Sequence, residues 1–383
     1  MQLSKEEQSV ERSIPQLLVS LDGNEIDSAG EWMERRRPEL LELFAEHVYG
    51  RQPVSRPQWM IFAVAAQEPC FNGRAVRKKI DIHFVGDGEG ESGGQGRIRL
   101  TLYVPADTGE AEKKRWPAFL LLDHGRLSAV REGESPSTPF WPVEQIIDSG
   151  YGTAMIAAED IDPDEHDGFR NGVHGLFDPN DRPRDGDAWG TISAWAWGLS
   201  RAMDYLETDP DVDSARVAVI GHSRGGKTAL WAGALDERFA MVVSNESGCT
   251  GAAISRGKAG ERVHQINTAF PHWFADNYKR YNEREEELPV DQHMLLAMIA
   301  PRLLYVSSAA EDEWADPASE YLSLQLAEPA YRLHGLGGLA AAPFPELDTP
   351  LHAERCGYHI RAGRHDLNEV DWTYVLAFAE GRL

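Results

Sequence analysis

The sequence predicts an α/β fold of three layers, an αβα sandwich with a mostly parallel sheet between two sets of helices. Three observations predict it. Continuous apolar runs at 117–122, 151–158 and 217–220 have the character of strands buried on both faces, as parallel strands are. Stretches of helical apolar spacing separate them, notably 141–149 and 189–206. Strands and helices alternate along the chain, the pattern of parallel strands joined by crossovers. The 383 residues contain no internal repeat and no low-complexity linker. They are therefore read as a single domain, 1–383, with local additions.

Taken in order, residues 1–27 are polar and form a peripheral segment. Ser28-Ala29-Gly30-Glu31 has the spacing of a capping box, and 31–49 has helical apolar spacing with Pro38 opening a second segment. Residues 59–64 and 76–85 read as strands, and 98–104 alternates as a half-exposed antiparallel strand does. The Gly-rich acidic stretch 86–97 reads as a hairpin tip. Strand 117–122 ends in Asp123-His124-Gly125. Strand 151–158 is followed by a polar loop, 159–187, long enough to carry function. Strand 239–244 ends in Asn245-Glu246-Ser247-Gly248. Residues 249–300 contain no obvious strand and are read as a helical insertion over the sheet edge, near the active site. Strands 302–308 and 357–360 and a helix at 371–379 complete the chain.

Bulk properties exclude several classes. A formal charge of −24 is the wrong sign for binding nucleic acid through its phosphates. No stretch of about twenty apolar residues exists to span a membrane. The N-terminal residues lack a basic segment followed by an apolar run, which predicts a cytoplasmic location. Three cysteines, Cys70, Cys249 and Cys356, are neither a disulfide framework nor, lacking CxxC spacing, a zinc site. The 11 tryptophans suit either a sugar-stacking surface or the core.

The most informative stretch is Val217-Ala218-Val219-Ile220-Gly221-His222-Ser223-Arg224-Gly225-Gly226-Lys227. A short buried strand runs into G-x-S-x-G and then into a helix. That is a nucleophile elbow, a turn tight enough to lift one serine hydroxyl clear of the sheet, and it makes Ser223 the expected nucleophile of an α/β-hydrolase fold. Glycines flank the serine by two because side chains there clash across the turn. The base and acid of such a site follow the serine in chain order, on loops after later strands. His365 follows the last strand and is the expected base. Two carboxylates compete to orient it: Asp312 after strand 302–308, which is preferred, and Glu246 after strand 239–244. The backbone N–H of Arg224 belongs to the oxyanion hole, and its guanidinium either adds charge there or pairs with a surface acid. Lys227, one helical turn from Ser223, is placed to face the same cleft.

The segments from GHSRGGKTALWAGALDERFAMVVSNESGC through AFPHWFADN, LPVDQHMLLAMIAPRLLYV and EDEWADP to GYHIRAGRHD resemble the glucuronoyl esterases, a carbohydrate esterase family of the α/β-hydrolases. The resemblance covers roughly residues 28–380, and the G-x-S-R-x-G-K elbow is its most distinctive part. It implies cleavage of esters between 4-O-methyl-glucuronic acid of xylan and lignin alcohols, with no metal or organic cofactor. By the resemblance, Glu246 matches the acid of fungal members and Asp312 that of bacterial ones, Arg224 is the oxyanion arginine, and Lys227, Glu261 and Trp314 hold the sugar. The cysteines that flank serine and histidine in fungal members are replaced here by His222 and Arg364, so that bridge is absent. The expected partner is a small or oligosaccharide uronate ester. The competing readings are an acetyl xylan esterase on the same machinery and a non-catalytic carbohydrate-binding relative. A metallohydrolase using His359 and His365 finds no supporting ligand spacing.

Overall fold

The computed structural model describes residues 12–86, 94–106, 114–127, 137–178 and 182–383. Most of the proposed hairpin tip lies outside these residues. One sheet of 10 strands runs through the molecule in the order β1-β2-β3-β5-β4-β6-β7-β8-β10-β9. The strands are β1 (Met60–Cys70), β2 (Ala75–Val85), β3 (Gln95–Pro105), β4 (Trp116–Asp123), β5 (Gly152–Ala157), β6 (Val212–His222), β7 (Phe239–Asn245), β8 (Leu303–Ala309), β9 (Leu351–His352) and β10 (Cys356–Arg361). From β5 to β10 every neighbouring pair is parallel, while β1, β2 and β3 form an antiparallel wing and β9 an antiparallel edge.

The period of two along each strand builds two cores. Ala118, Leu120, Leu122, Val217 and Val219 face one apolar cluster, and Phe119, Leu121, Ala218 and Ile220 face the other. The helices divide accordingly. The helices Thr191–Leu206 and Arg224–Leu235 cover the first face, and Val143–Asp148 and Glu369–Ala379 cover the second. This gives the three layers expected. Seven tryptophans (Trp32, Trp141, Trp189, Trp195, Trp197, Trp231 and Trp372) are fully buried, so for these the tryptophan signal was a core signal. Among the described residues, no helix is long and apolar enough to cross a membrane.

Two expectations need correction. The segment 249–300 leaves the sheet from β7, which lies between β6 and β8; it is inserted at the centre of the sheet rather than at its edge. It contains only short helices, Val263–Ala269 and Gln292–Ala297 among them. These are tied down by Arg256, whose guanidinium meets Asp291 at 3.1 Å and the Val290 carbonyl at 3.0 Å. The capping box is shifted as well. Ser28 Oγ accepts from Glu31 N, but the Glu31 carboxylate reaches back to the N–H of Asp27, one residue further than that motif requires.

Strand order places the site. The chain passes from β4 to β5 on one side and then returns to lay β6 against the other side of β4. A crevice opens outside the carboxyl ends of parallel strands at such a reversal, and ligands bind there. The carboxyl ends of β4, β6, β7, β8 and β10 lead into His124, Ser223, Glu246, Asp312 and His365 respectively.

Candidate active site

Ser223 caps the helix Arg224–Leu235 with φ 58° and ψ −122°. A non-glycine residue held there is strained, and the strain persists only because its surroundings fix it. They do so from both sides. Ser223 N donates to the Asn245 carbonyl at 2.9 Å, which binds the elbow to the end of β7. A Cβ on Gly221 would lie 2.0 Å from the Gly225 carbonyl oxygen, so the first glycine of the motif is sterically required. Ser223, Arg224 and His365 line one cavity of about 220 Å³ together with His124, Arg126, Phe140 and His222.

His365 stands between two carboxylates. Its Nδ1 is 2.6 Å from Asp312 Oδ2 and 3.3 Å from Glu246 Oε2. Burial alone would lower the imidazole pKa, but the hydrogen bonds to Asp312 and Glu246 outweigh it and raise it to about 9. The two acids differ in character. Burial raises Glu246 to about 8, against the pull of His365 and of Arg361, whose Nη2 lies 2.7 Å from Glu246 Oε1. Asp312 is also penalised by burial, but its hydrogen bond to His365 wins and holds it below the usual carboxylate range. The ligand-type atoms of Glu246, Asp312 and His365 all lie within 4.8 Å of one another. That spacing serves a metal as well as a triad, and here the short contact is made to the imidazole itself.

A second ring sits against the base. The centroids of His222 and His365 are 4.5 Å apart. Arg126 Nη2 donates to His222 Nε2 at 3.3 Å, which leaves Nδ1–H to donate to Asn245 Oδ1 at 2.6 Å. Burial, and then the charge of His365, hold His222 well below its ordinary pKa, so it packs as a neutral ring. Arg364, at the other position where fungal members carry a cysteine, points into solvent with a side chain 89% exposed. All three cysteines are free thiols.

Arg224 is paired. Its Nη1 donates to Asp164 Oδ2, and its guanidinium lies over the rings of Trp273 at 4.8 Å and Phe270 at 5.3 Å. Asp164 also accepts from His272 Nε2 at 3.1 Å and Trp273 Nε1 at 2.7 Å. Burial alone would raise Asp164, but these donors and the Arg224 charge push it well below the usual range. A planar cation held by a carboxylate and stacked on an indole is fixed in direction, and its fork carries five N–H donors. Sequence reasoning noted the loop 159–187 and the Phe270–Phe274 string but singled out none of Asp164, His272 and Trp273; the length of that loop was the available signal.

The remaining candidates are distributed differently. Lys227 is not one of the side chains that line this cavity. Its ammonium is buried and donates to the carbonyls of Ser247 and of Cys249, the latter at 2.7 Å. Glu261 and Trp314 are brought together by a 3.0 Å hydrogen bond from Glu261 N to the Trp314 carbonyl. Trp314 is 54% exposed and follows Asp312 in a turn that the Asp312 carboxylate itself caps at Ala315 N.

The comparisons with known proteins agree with this architecture. The family described as glucuronyl esterase, fungi, matches residues 183–335. The carbohydrate esterase MZ0003 of an unknown prokaryotic organism is 42% identical, over 96% of this chain and 89% of that protein. A 4-O-methyl-glucuronoyl methylesterase of Phanerochaete carnosa is 34% identical, over 84% of this chain and 72% of that protein. The solved glucuronoyl esterase from Solibacter usitatus superposes with a TM-score of 0.87 at 41% identity, over 96% of this chain and 97% of that one. The CE15 glucuronoyl esterase from Teredinibacter turnerae superposes with a TM-score of 0.86 at 30% identity, over 99% and 91%. With the elbow, the paired histidine and the sheet order all in place, the chain belongs to the CE15 family of glucuronoyl esterases.

Proposed function

We propose that this protein hydrolyses the ester formed by the carboxyl group of a glucuronic acid unit with an alcohol. The observation that carries the reading is one cavity holding an elbow serine, its neighbouring arginine and a histidine whose Nδ1 lies 2.6 Å from a carboxylate. Ser223 Oγ attacks the ester carbonyl carbon while His365 takes the serine proton. Asp312 is the orienting acid, because it is the nearer carboxylate and the one held in its ionised form. Glu246, buried and drawn toward its neutral form, supports the ring from behind. The tetrahedral oxyanion meets the Arg224 backbone N–H and the free edge of its guanidinium. Collapse breaks the bond to the alcohol, which leaves with the proton from His365. Water, deprotonated by the same ring, then attacks the acyl-serine; the uronate departs and Ser223 regains its proton. Lys227 positions the loop 247–249, while Glu261 and Trp314 offer a carboxylate and an indole face to the sugar.

The experiment is hydrolysis of benzyl glucuronate beside phenyl acetate and acetylated xylan. The expected result is preference for the glucuronate by kcat/KM, with Ser223→Ala losing on the order of 10⁴-fold or more. Acetate release from acetylated xylan without cleavage of the glucuronate would instead make the protein a carbohydrate deacetylase. Failure of a serine-reactive phosphonate to label Ser223 would make it a binding protein on this fold.

A further inference from the structure

One imidazole of the catalytic cavity takes no part in the triad or in its packing. His124 lines the same cavity as Ser223, Arg224 and His365. Both of its ring nitrogens are buried and, among the described residues, have no hydrogen-bond partner. A buried polar atom left unpaired costs about 1–3 kcal/mol, so a ring with both nitrogens idle calls for a ligand.

Its placement says which part of a ligand it meets. His124 directly follows β4, the neighbour of the elbow strand β6. In the parallel register Leu121 pairs with Ile220, and carrying that register on along both chains brings His124 level with Ser223. In hydrolases of this fold, the oxyanion receives one N–H from the residue after the nucleophile and another from the loop after the adjacent strand. His124 begins that loop. The elbow is also shaped to admit it. A Cβ on Gly225 would lie 3.0 Å from His124 Nε2, so the second glycine of the motif keeps the imidazole edge open to the first turn of the elbow helix. From the other side Trp195 holds the ring edge-on, with centroids 4.7 Å apart. Burial, and then the charge of Arg224, lower the ring pKa to about 3, so it offers one neutral N–H at working pH. A neutral imidazole polarises a carbonyl without adding a charge that would bind the product carboxylate tightly.

We propose that His124 is a catalytic residue that donates its imidazole N–H to the oxyanion of the tetrahedral intermediate, opposite Arg224. The oxyanion hole is then built from two elements, the elbow helix and the β4 loop, across the crevice where the strand order reverses. The proposal rests on the serine-esterase reading of the same cavity.

The test compares wild type, His124→Ala and His124→Gln on benzyl glucuronate and on phenyl acetate, with melting temperatures recorded for each. A glutamine amide reaches about as far as Nε2 and keeps an N–H. An oxyanion donor acts on any ester, so His124→Ala should lower kcat on both substrates by about 100-fold with KM nearly unchanged. His124→Gln should recover at least about tenfold of that loss, whether or not its melting temperature matches that of His124→Ala. A loss confined to the glucuronate and expressed as a rise in KM would place the ring on the sugar and overturn the proposal. So would equal impairment by glutamine and alanine, or an unchanged kcat. A wild-type protein inactive on both esters overturns the esterase reading and this proposal together, whereas an active wild type with indifferent variants overturns this proposal alone.

Discussion

At the scale of single residues, the unusual feature is a base with two carboxylates. They are not equivalent, because burial falls on them unequally. Asp312 makes the short contact and stays ionised, while Glu246 is deeper, raised to about 8, and braced by Arg361. Removing the ionised partner should cost the imidazolium its stabilisation in the transition state. Asp312→Asn is therefore expected to lower kcat by about 10³- to 10⁴-fold, and Glu246→Gln by less than about tenfold; the opposite ranking would make Glu246 the orienting acid. The pH dependence follows from the same pairing. The ring works as a base only when neutral, and its pKa is raised to about 9, so kcat/KM should climb with pH and level off near that value. Replacing Asp312 weakens the hold on the imidazolium, so the residual activity of Asp312→Asn should reach its plateau at lower pH. A limb that stays in place would mean that Asp312 does not set the titration of His365. At this scale much was legible in the sequence. Ser223, His365, Asp312 and Glu246 were visible because each follows a strand in a fixed order. Asp164 was not, because it meets Arg224 from 60 residues away and no local pattern records that contact.

At the scale of elements, the elbow and the insertion show two ways of making a site rigid. The elbow is locally determined: strand, glycine, serine, glycine and helix are consecutive, and the sequence announces them. The insertion is not. Its short helices cannot support themselves, and helices of this length owe their stability to what they pack against. Its position at the centre of the sheet depends on β7 having neighbours on both sides, and no periodicity reveals that. Within the insertion, the buried pair Arg256–Asp291 closes the segment on itself. Asp291 also accepts from Ser255 N at 2.7 Å and Gln292 N at 2.8 Å, so one carboxylate closes a loop and caps a helix. Breaking a buried pair leaves its partner uncompensated, and Asp291→Ala is expected to destabilise the protein by about 3–5 kcal/mol. Denaturant unfolding measures this, and a loss below about 1 kcal/mol would show that the pair does not brace the insertion. Because Trp273 and His272 of the same insertion hold Asp164, the folded fraction of that variant should also lose activity through a misdirected Arg224.

At the scale of the whole molecule, the charge of −24 bears on the reaction in a way the site alone does not. The cations near the cavity are already engaged: Arg224 by Asp164, Arg126 by Asp366, and Lys227 by backbone carbonyls. Among the described residues these cations, and the His365 ring whose pKa is raised to about 9, each face carboxylates or carbonyls that offset their charge. The substrate of the proposed reaction is an ester and carries no charge at its reacting carboxyl, whereas the product is a carboxylate. Hydrolysis therefore converts a ligand indifferent to the protein's field into one repelled by it. Such repulsion acts between groups separated by more than direct contact, and salt screens it beyond about 8 Å at physiological strength. Raising ionic strength from about 10 mM to roughly 0.5 M should then leave the KM for benzyl glucuronate nearly constant while the inhibition constant for glucuronate falls several-fold, because screening removes the force that expels it. An inhibition constant that rises with salt would mean that the product is held by attraction, and that the paired arginines keep more effective charge than their partners allow. A KM that moves in step with it would mean that salt acts on the fold rather than on the charge of the ligand. On this reading, the acidity of the protein helps to clear the site after each turnover.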